Sequence, residues 1–353
     1  PESNKVLVRC VNADLLTGDV EYAPIDVPFE KLPYSDPIRL GIDQFGDLAL
    51  MAMVEAHTLI AGSSGNGKSS LMKLLALRVA GLADSISFGV DMKPGAPELS
   101  MVAPLMQEIA SELHQVQALF DWLTAEMDRR GRIVAASGST KWSPVEHGGP
   151  MIYVFIDELA ELMRQGGKEV IEQFESIMAL TRAYGIRIIA ATQQPDRDVF
   201  GGKTSAKGNF KNKICTRMET PAHYQFVDIN PKEVVDMLDA PGKFVLVGAG
   251  HQRPLPCKAE YVSDEVCRAD VARLAPETVK QHTANRFILP APSGMNNRDA
   301  VRWALRNGGL TRREIELATG LDERQVLRAL DGPDTAQDGP GGAWALVGHE
   351  NAA

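Results

Sequence analysis

AGSSGNGKSS, at residues 61–70, has the spacing G-x-x-x-x-G-K-[ST] and is the most informative stretch of this 353-residue chain. An apolar run, Thr58-Leu59-Ile60, precedes it, and Leu71-Met72-Lys73-Leu74-Leu75 follows it, so the pattern predicts a strand, a loop and a helix. Such a loop turns backbone N–H groups inward around phosphates, and the helix adds the positive end of its dipole. The alternative is a Gly- and Ser-rich surface turn, which the flanking apolar runs disfavour.

The loop predicts a nucleotide site with ATP and Mg²⁺ as cofactors. Lys68 is expected to pair with the γ-phosphate, and the Ser69 hydroxyl is expected to ligate Mg²⁺. The predicted nucleotide-binding residues are Gly62, Ser63, Ser64, Gly65, Asn66, Gly67, Lys68, Ser69 and Ser70.

Two later strand ends carry polar side chains that suit the same site. In IYVFIDE, residues 152–158, Asp157 is expected to hold Mg²⁺ and Glu158 to polarise the attacking water. The alternative for this acidic pair is an N-cap of the next helix. In AATQQP, residues 190–195, the amide of Gln193 is suited to sensing the γ-phosphate, or else the segment is a turn opened by Gln-Pro. We predict Lys68, Asp157, Glu158 and Gln193 as catalytic residues.

Composition is that of an ordinary globular protein, with 44% hydrophobic and 24% charged residues. The cysteines, which we predict to be reduced and buried, form no C-x-x-C pair and no metal spacing: Cys10, Cys215, Cys257 and Cys267. The net charge of −9 excludes a uniformly basic surface. Residues 201–218 nevertheless form a local basic patch without acids, consisting of Lys203, Lys207, Lys211, Lys213 and Arg217.

From about Ile38, apolar runs alternate with helical stretches, which predicts an α/β fold with a mainly parallel sheet and helices on both faces. A stripe of apolar residues predicts a long helix from Pro104 to about Ala135. Residues 1–37 are expected to be lead-in strands, including one at Lys5–Cys10. The other predicted strands are His57–Ala61, Ile86–Asp91, Met151–Asp157, Ile186–Thr192, Lys213–Met218 and Lys243–Val247.

Residues 276–297 lose the periodicity and contain several prolines, so we predict a linker there. Residues 298–350 have the order of a small winged helix-turn-helix domain, with predicted helices at 298–306, 311–318 and 322–330 and a strand at 343–347. In the second helix of the helix-turn-helix, Val326, Leu327 and Leu330 are expected to turn inward. The predicted DNA contacts are Arg324, Gln325 and Arg328 to bases and Arg312 and Arg313 to phosphates. The alternative is a winged helix used for protein contacts.

Several motifs occur in one order and together resemble the FtsK/SpoIIIE family of DNA-pumping motors over roughly residues 38–270. They are the loop at 62–69, VDMK at 90–93 with ELS at 98–100, Trp122 with EMDRR at 126–130, IDELAELM at 156–163, RAYGI at 182–186, ATQQP at 191–195 and YVSDE at 261–265. The sequence most resembles the Tra (TraB/TraSA-type) conjugative plasmid transfer proteins of actinomycetes. The resemblance implies a RecA-like P-loop ATPase domain at 38–275 that forms hexameric rings on double-stranded DNA, with ATP at subunit interfaces.

The resemblance also implies an arginine that reaches the γ-phosphate from the neighbouring subunit. Lys213 falls where the family usually has arginine, so we predict Arg217 as the catalytic arginine and keep Arg182 as the second candidate. Either could instead be an ordinary solvated or ion-paired arginine. The segment at 220–225 departs from the basic sequence common in the family.

The expected function is an ATP-driven double-stranded DNA translocase in conjugative plasmid transfer, with a winged helix that selects a DNA sequence. The alternatives are a motor for chromosome segregation or type VII protein secretion, and a DNA-binding regulator that uses nucleotide as a switch. No apolar run approaches the roughly 18 residues of a membrane span. Because the chain opens with Pro1, it is compatible with a cytoplasmic fragment of a protein whose full-length form is anchored at the cell membrane.

Overall fold

The computed structural model describes residues 14–24, 32–196, 208–248, 250–283, 287–306, 310–331, 335–337 and 343–347. The predicted strand at Lys5–Cys10 and the basic residues Lys203 and Lys207 lie outside these ranges. Within them, no helix is both long and apolar enough to cross a bilayer.

Most strands of the described chain belong to one large sheet, and the last two form a separate pair. They are β1 (Val20–Glu21), β2 (Ile38–Asp43), β3 (Leu48–Met51), β4 (His57–Ala61), β5 (Ser85–Val90), β6 (Ile109–Ala110), β7 (Met151–Ile156), β8 (Ile186–Thr192), β9 (Phe210–Cys215), β10 (Lys243–Gly248), β11 (His251–Tyr261), β12 (Thr335–Gln337) and β13 (Trp344–Leu346).

Helices connect these strands and then form a separate C-terminal group. They are α1 (Lys68–Ala80), α2 (Leu113–Ser137), α3 (Pro144–His147), α4 (Leu159–Leu180), α5 (Pro221–Phe226), α6 (Pro231–Val234), α7 (Asp264–Thr283), α8 (Asn297–Leu305), α9 (Arg312–Thr319) and α10 (Glu323–Leu330). Short 3₁₀ turns occupy Ser100–Leu105, Thr181–Tyr184 and Val235–Met237.

The sheet order is β3-β2-β11-β10-β9-β4-β8-β7-β5-β6, with β1 paired to β11. Strands from β9 to β6 along this order are parallel, whereas β9, β10, β11, β2 and β3 pair antiparallel with one another. The sheet is therefore mixed, and the expectation of a mainly parallel sheet was wrong for its β10–β3 half. The short connection at 44–47 accounts for the β2–β3 pair, because so few residues can join only antiparallel neighbours.

Helices cover both faces of the sheet, as expected. In β7, Ile152, Val154 and Ile156 pack on the face covered by α2 and α4. The alternate residues Tyr153 and Phe155 pack on the face covered by α1 and α7. Because successive strand side chains point to opposite faces, a strand buried on both sides has to be apolar throughout.

Two predicted boundaries were wrong. The long helix begins at Leu113 rather than Pro104, because residues 100–105 form a 3₁₀ turn and β6 interrupts the helical pattern. The strand predicted at 213–218 is β9, which ends at Cys215 and pairs parallel with β4, with a register shift between His57 and Thr58. The strands predicted at 57–61 and 186–192 are confirmed by β4 and β8.

The described parts of the predicted linker at 276–297 include helical and packed segments. Pro276 lies inside α7. Residues 287–293, which we call the strap, lie against the domain of the large sheet: Leu289 is fully buried in its core, and the Phe287 ring stacks on Trp122 at 5.0 Å. Gln115 Nε2 donates to the Pro290 carbonyl at 2.8 Å. The strap therefore anchors the C-terminal helices to α2.

The C-terminal helices α8, α9 and α10 enclose a small core of their own, built around Val301, Ile315 and Val326. β12 and β13 pair antiparallel beside it, and Leu310 forms a bridge with Trp344. Leu327 is 43% exposed, so the expectation that it turns inward was wrong. A helix of eight residues has only about two turns, and α10 uses Val326, Ala329 and Leu330 to fill the core.

Candidate nucleotide-binding site

The phosphate loop connects β4 to α1 at the carboxyl edge of the parallel strands. Gly67 caps α1 with a φ of 95°, a left-handed conformation that favours glycine. In this part of the described chain no side chain caps the first turn of α1, and no acid lies in it. The N–H groups of that turn, which point towards the loop, therefore suit a phosphate.

Two neighbouring strand ends hold the loop in place. The N–H of Gly62 donates to the Thr192 carbonyl at 3.2 Å, and the N–H of Ser63 donates to the Arg217 carbonyl at 2.8 Å. A Cβ on Gly62 would lie 1.8 Å from the Thr216 hydroxyl oxygen. Glycine at this position is therefore required by the close approach of β9.

Gln193 lies between the loop and the acidic pair, because β8 lies between β4 and β7 in the sheet. The Ser64 hydroxyl donates to Gln193 Oε1 at 2.7 Å. Glu158 accepts from the Gln193 N–H at 3.2 Å and from the Ala160 N–H at 3.4 Å. Glu158 thus caps α4, as the alternative interpretation of the acidic pair required, and also faces the phosphate loop through Gln193.

The electrostatics of the acidic pair are dominated by burial. Burial raises the pKa of Asp157, although its contact with Lys93 opposes the shift. Burial likewise raises the pKa of Glu158, opposed by its hydrogen bond from the Gln193 N–H. Lys68 has its pKa lowered by burial, while the charges of Glu158 and Asp157 act in the opposite direction. The structure therefore brings the predicted catalytic residues of β7, β8 and the phosphate loop into one electrostatic group.

The groups predicted to hold Mg²⁺ are a hydroxyl and a buried carboxylate, which are the hard oxygen ligands that this ion prefers. Lys93 Nζ donates to Asp157 at 2.9 Å and to Glu98 at 3.2 Å. Burial opposes the shift, but the Ser69 and Lys93 side chains together lower the pKa of Glu98. The donor set of Ser69 and Asp157 fits Mg²⁺ held jointly with nucleotide phosphates.

Sequence reasoning assigned no role to Asp91, Lys93 and Glu98. Asp91 follows β5 and is 1% exposed, and its carboxylate accepts the N–H groups of Lys93 at 3.2 Å and Glu98 at 3.1 Å. Their positions follow from the pairing of β5 with β7, which sets Asp91 beside Asp157. The signal available in the sequence was another acid directly after a buried strand.

The structure separates the candidate arginines. Lys213 is buried and forms an ion pair with Asp228. Arg217 is exposed, and its carbonyl accepts from Ser63 of the same chain, so it lies beside its own phosphate loop. Arg182 precedes β8 and therefore lies at the opposite, amino edge of the sheet. The backbone of Arg217 therefore lies at the phosphate loop of its own chain, whereas Arg182 lies at the far edge of the sheet.

Two motifs that carried the resemblance are structural. Glu126 pairs with Arg129 at 2.7 Å and with the buried Arg130 at 2.6 Å, and Arg130 Nη1 donates to the Tyr184 carbonyl. A Cβ on Gly185 would lie 2.5 Å from the Trp142 ring. EMDRR and RAYG therefore lock α2 onto the start of β8.

The predicted DNA-contacting residues differ in their surroundings. Arg313, Arg324 and Arg328 are exposed. Arg312 forms ion pairs with Glu323 and, at 3.1 Å, with Glu316. Gln325 Oε1 accepts from the Asp322 N–H at 2.9 Å as part of a capping box, so that oxygen is occupied at the start of α10.

Part of this site lies in a segment that matches a known family. Residues 28–150, which contain the phosphate loop and the Asp91 loop, match the sequence model of the FtsK/SpoIIIE family. The chain contains an FtsK/SpoIIIE family domain. The phosphate loop lies inside the matched residues, whereas Asp157, Glu158 and Gln193 follow them.

Curated relatives extend the similarity beyond the FtsK/SpoIIIE domain match. The chain is 26% identical over 305 residues to the DNA translocase FtsK of Staphylococcus aureus (strain Mu50), covering 77% of this chain and 37% of the relative. It is 27% identical over 274 residues to the DNA translocase FtsK of Mycobacterium tuberculosis, covering 70% and 32%. The chain thus spans about a third of the length of these relatives.

Solved structures show the same fold. The pCW3 conjugation coupling protein TcpA, in its monomer form with ATPγS, is 22% identical with a TM-score of 0.59, covering 72% of this chain and 74% of that one. The cytoplasmic domain of the Thermomonospora curvata type VII secretion ATPase EccC is also 22% identical, with a TM-score of 0.57 and coverage of 70% and 32%. These similarities establish a P-loop ATPase-like fold.

Proposed function

We propose that this chain is an ATP-driven double-stranded DNA translocase that works as a hexameric ring in conjugative plasmid transfer. The observation that carries the proposal is the convergence of Lys68, Asp157, Glu158 and Gln193 at one edge of the sheet in an FtsK/SpoIIIE domain. Its curated relatives are DNA translocases, which supports DNA as the partner.

Each side chain has a defined part in ATP hydrolysis. The N–H groups of the loop and Lys68 bind the phosphates, and Ser69 and Asp157 hold Mg²⁺. When bound, Mg²⁺ neutralises charge on the phosphate oxygens and fixes their orientation. Glu158 accepts a proton from the attacking water, and its raised pKa brings it closer to the range in which a general base is effective.

Gln193 is placed to report phosphate loss, because it contacts both Ser64 of the loop and Glu158. A change at the γ-phosphate would alter these two contacts and so move the segment that follows β8. We infer that this movement drives the loops that face DNA. Since phosphate contacts carry no base information, the motor can act on any duplex sequence.

The first test is the rate of ATP hydrolysis with and without long duplex DNA, for the parent chain and for Lys68→Ala. We expect duplex DNA to raise the parent's rate of ATP hydrolysis by roughly tenfold or more, and Lys68→Ala to have no measurable hydrolysis. Ring formation is measured in parallel by mass photometry on duplex DNA. A parent rate that DNA leaves unchanged while rings are present contradicts the translocase function.

Type VII protein secretion is the second candidate function, because the EccC fold resembles this chain as closely as the TcpA fold does. Duplex DNA would then have no effect on hydrolysis, whereas a secreted substrate peptide would. The exposed arginines of the C-terminal helices favour DNA, and the same assay decides between the two partners.

We also propose that the C-terminal helices and the β12–β13 pair form a winged helix-turn-helix that selects the loading sequence. Arg324 and Arg328 lie on the exposed face of α10, which has the geometry of a recognition helix. Arg313 is exposed near the start of α9 and suits a phosphate. The ion pairs of Arg312 with Glu316 and Glu323 make Arg312 less available for a DNA contact.

The test of this domain compares binding to a selected DNA site and to random duplex. Arg324→Ala with Arg328→Ala should reduce the preference for the site by roughly tenfold or more, whereas Arg313→Ala should weaken both kinds of binding alike. Arg164→Ala, at an arginine that is 70% exposed on α4, is the control for a lost surface charge. Equal loss of both kinds of binding in the double variant identifies backbone contacts instead.

A further inference from the structure

Lys93 is the side chain nearest to the buried acid of the nucleotide site. Its ammonium lies 2.9 Å from Asp157 Oδ2 and 3.2 Å from Glu98 Oε1. The Asp157 side chain is only 8% exposed, whereas Lys93 is 36% exposed. A buried carboxylate is unfavourable unless a cation compensates it, and here Lys93 supplies that charge.

The hydroxyl predicted to bind Mg²⁺ acts on the same cluster. Burial opposes the shift, but the Ser69 and Lys93 side chains together lower the pKa of Glu98. Lys93 therefore joins Asp157 to Glu98 beside the residues predicted to hold the metal ion.

Asp91 holds in place the backbone that carries Lys93 and Glu98. Its two carboxylate oxygens accept the N–H groups of Lys93 and Glu98, and the turn between them includes Gly95 at φ 82° and Ala96 at φ 45°. A non-glycine residue in the left-handed region is uncommon, so the turn is held by its surroundings. With the backbone held, exchange of partners at Asp157 requires only that the flexible side chain of Lys93 moves.

We propose that Lys93 is the internal counter-cation of the metal position, which a divalent ion displaces from Asp157 and Glu98 when the nucleotide binds. An ammonium and a divalent ion repel each other at a few ångströms in a site screened from water, so they compete for the same carboxylate oxygen. Lys93 is thus a positioning residue that sets the Mg²⁺ requirement of the site. This inference rests on the proposed function, because it presumes that ATP and Mg²⁺ bind here.

Competition between Lys93 and the divalent ion predicts a specific pattern of effects on metal and nucleotide binding. Without Lys93, the carboxylates of Asp157 and Glu98 are uncompensated and attract the metal more strongly. The phosphates, in contrast, lose a nearby positive charge when no metal is present. Removal of Lys93 therefore lowers the Mg²⁺ concentration needed for binding and, at the same time, weakens metal-free nucleotide binding.

The test is equilibrium binding of a fluorescent ATP analogue to the full chain, measured in EDTA and across a Mg²⁺ titration. We expect Lys93→Gln and the apolar Lys93→Met to lower the half-saturating Mg²⁺ concentration about fivefold and to weaken binding in EDTA. Lys93→Arg, which keeps the cation, should resemble the parent. Lys73→Gln is the matched control, since Lys73 lies nearby on α1 but pairs with Asp264; it should change neither value by more than about twofold.

Each result of this binding experiment has a different meaning. An equal loss of affinity with and without Mg²⁺ overturns the proposal and makes Lys93 a direct phosphate ligand. An unchanged Mg²⁺ half-saturation in both Lys93→Gln and Lys93→Met also overturns it, because the ion pair then has no part in metal binding. Absence of binding by the parent in either buffer overturns the proposed nucleotide site itself.

Discussion

The hydroxyl of Ser64 donates to the side-chain oxygen of Gln193 at 2.7 Å, which joins the phosphate loop to the end of β8. The backbone N–H of Gln193 in turn donates to Glu158 at 3.2 Å. One residue therefore contacts both the phosphate loop and Glu158, the acid predicted to polarise the attacking water. This connection offers a route by which the state of a bound nucleotide would affect a neighbouring strand.

Removal of either partner of this hydrogen bond should weaken coupling rather than nucleotide binding. We expect Ser64→Ala and Gln193→Ala each to bind nucleotide within about fivefold of the parent, because a hydrogen bond between neutral groups contributes about 1 kcal/mol. Both should lose DNA-stimulated hydrolysis, and the double variant should lose no more than Gln193→Ala does. Strictly additive losses show that the two side chains act independently.

Gly62→Ala should abolish nucleotide binding, because its Cβ would lie 1.8 Å from the Thr216 hydroxyl oxygen. The loop would have to leave the end of β9 to accommodate the methyl group. Gly62→Ala combined with Thr216→Ala removes that oxygen and should restore part of the binding, with thermal unfolding measured to confirm folding. Full binding by the single variant contradicts the close approach of Thr216.

Mixtures of inactive subunits distinguish the two arginines. Because Arg217 lies beside its own phosphate loop, Arg217→Ala subunits mixed with Lys68→Ala subunits should regain no hydrolysis. Arg182 lies at the opposite edge of the sheet, so Arg182→Ala mixed with Lys68→Ala should regain activity if Arg182 serves a neighbour. Recovery in the Arg217 mixture, measured as DNA-stimulated phosphate release, reverses this assignment.

The ion pair of Arg306 with Glu108 should stabilise the docking of the C-terminal helices. The Glu108 side chain is 4% exposed, so Arg306→Ala removes an ion-pair partner of a buried carboxylate and should lower the free energy of unfolding by about 2 kcal/mol or more. Hydrogen exchange at the Ser293 N–H, which donates to Glu112, should become faster. Arg302→Ala, at an exposed pair on α8, should change unfolding by less than about 0.5 kcal/mol. Unchanged exchange at Ser293 would show that the strap does not depend on Arg306.

The buried ring of His57 should make the folded chain less stable in mild acid. Burial, together with the charges of Arg187 and Arg182, lowers the pKa of His57 from its ordinary value of 6.5 to about 3. Its Nδ1 accepts the Ile188 N–H at 2.9 Å, and its Nε2 lies 3.2 Å from the Met178 carbonyl, to which it donates. In the unfolded chain the ring binds a proton below about pH 6.5, whereas the folded chain excludes it until about pH 3.

Stability should therefore fall as pH decreases from 6.5 towards 3, by up to about 1.4 kcal/mol per pH unit from this group. Urea unfolding at about pH 7.5 and pH 5.5 measures the difference, and His57→Asn should remove about 1.4 kcal/mol of it. His114→Asn, at a half-exposed histidine, is the control. The same pH dependence in His57→Asn and the parent means that another group causes it.

Local sequence patterns predicted much of the nucleotide site. β4 and β8 have the predicted bounds, and Lys68, Asp157, Glu158 and Gln193 lie at one edge of the sheet. These predictions were possible because glycine spacing and uninterrupted apolar runs depend on residues close together in the chain. The long helix was misplaced at its start because an apolar stripe continues through the 3₁₀ turn and β6 without changing its spacing.

Contacts between distant residues could not be predicted in this way. The antiparallel half of the sheet, the strap on α2 and the position of Arg217 beside Ser63 each depend on which strands become neighbours. The sequence alone determined that a phosphate loop and an acidic strand end exist, because their spacing is local. Only the tertiary structure decided that Lys93 joins Asp157 to Glu98, because these contacts require β5 to pair with β7 and the Asp91 carboxylate to hold the intervening turn.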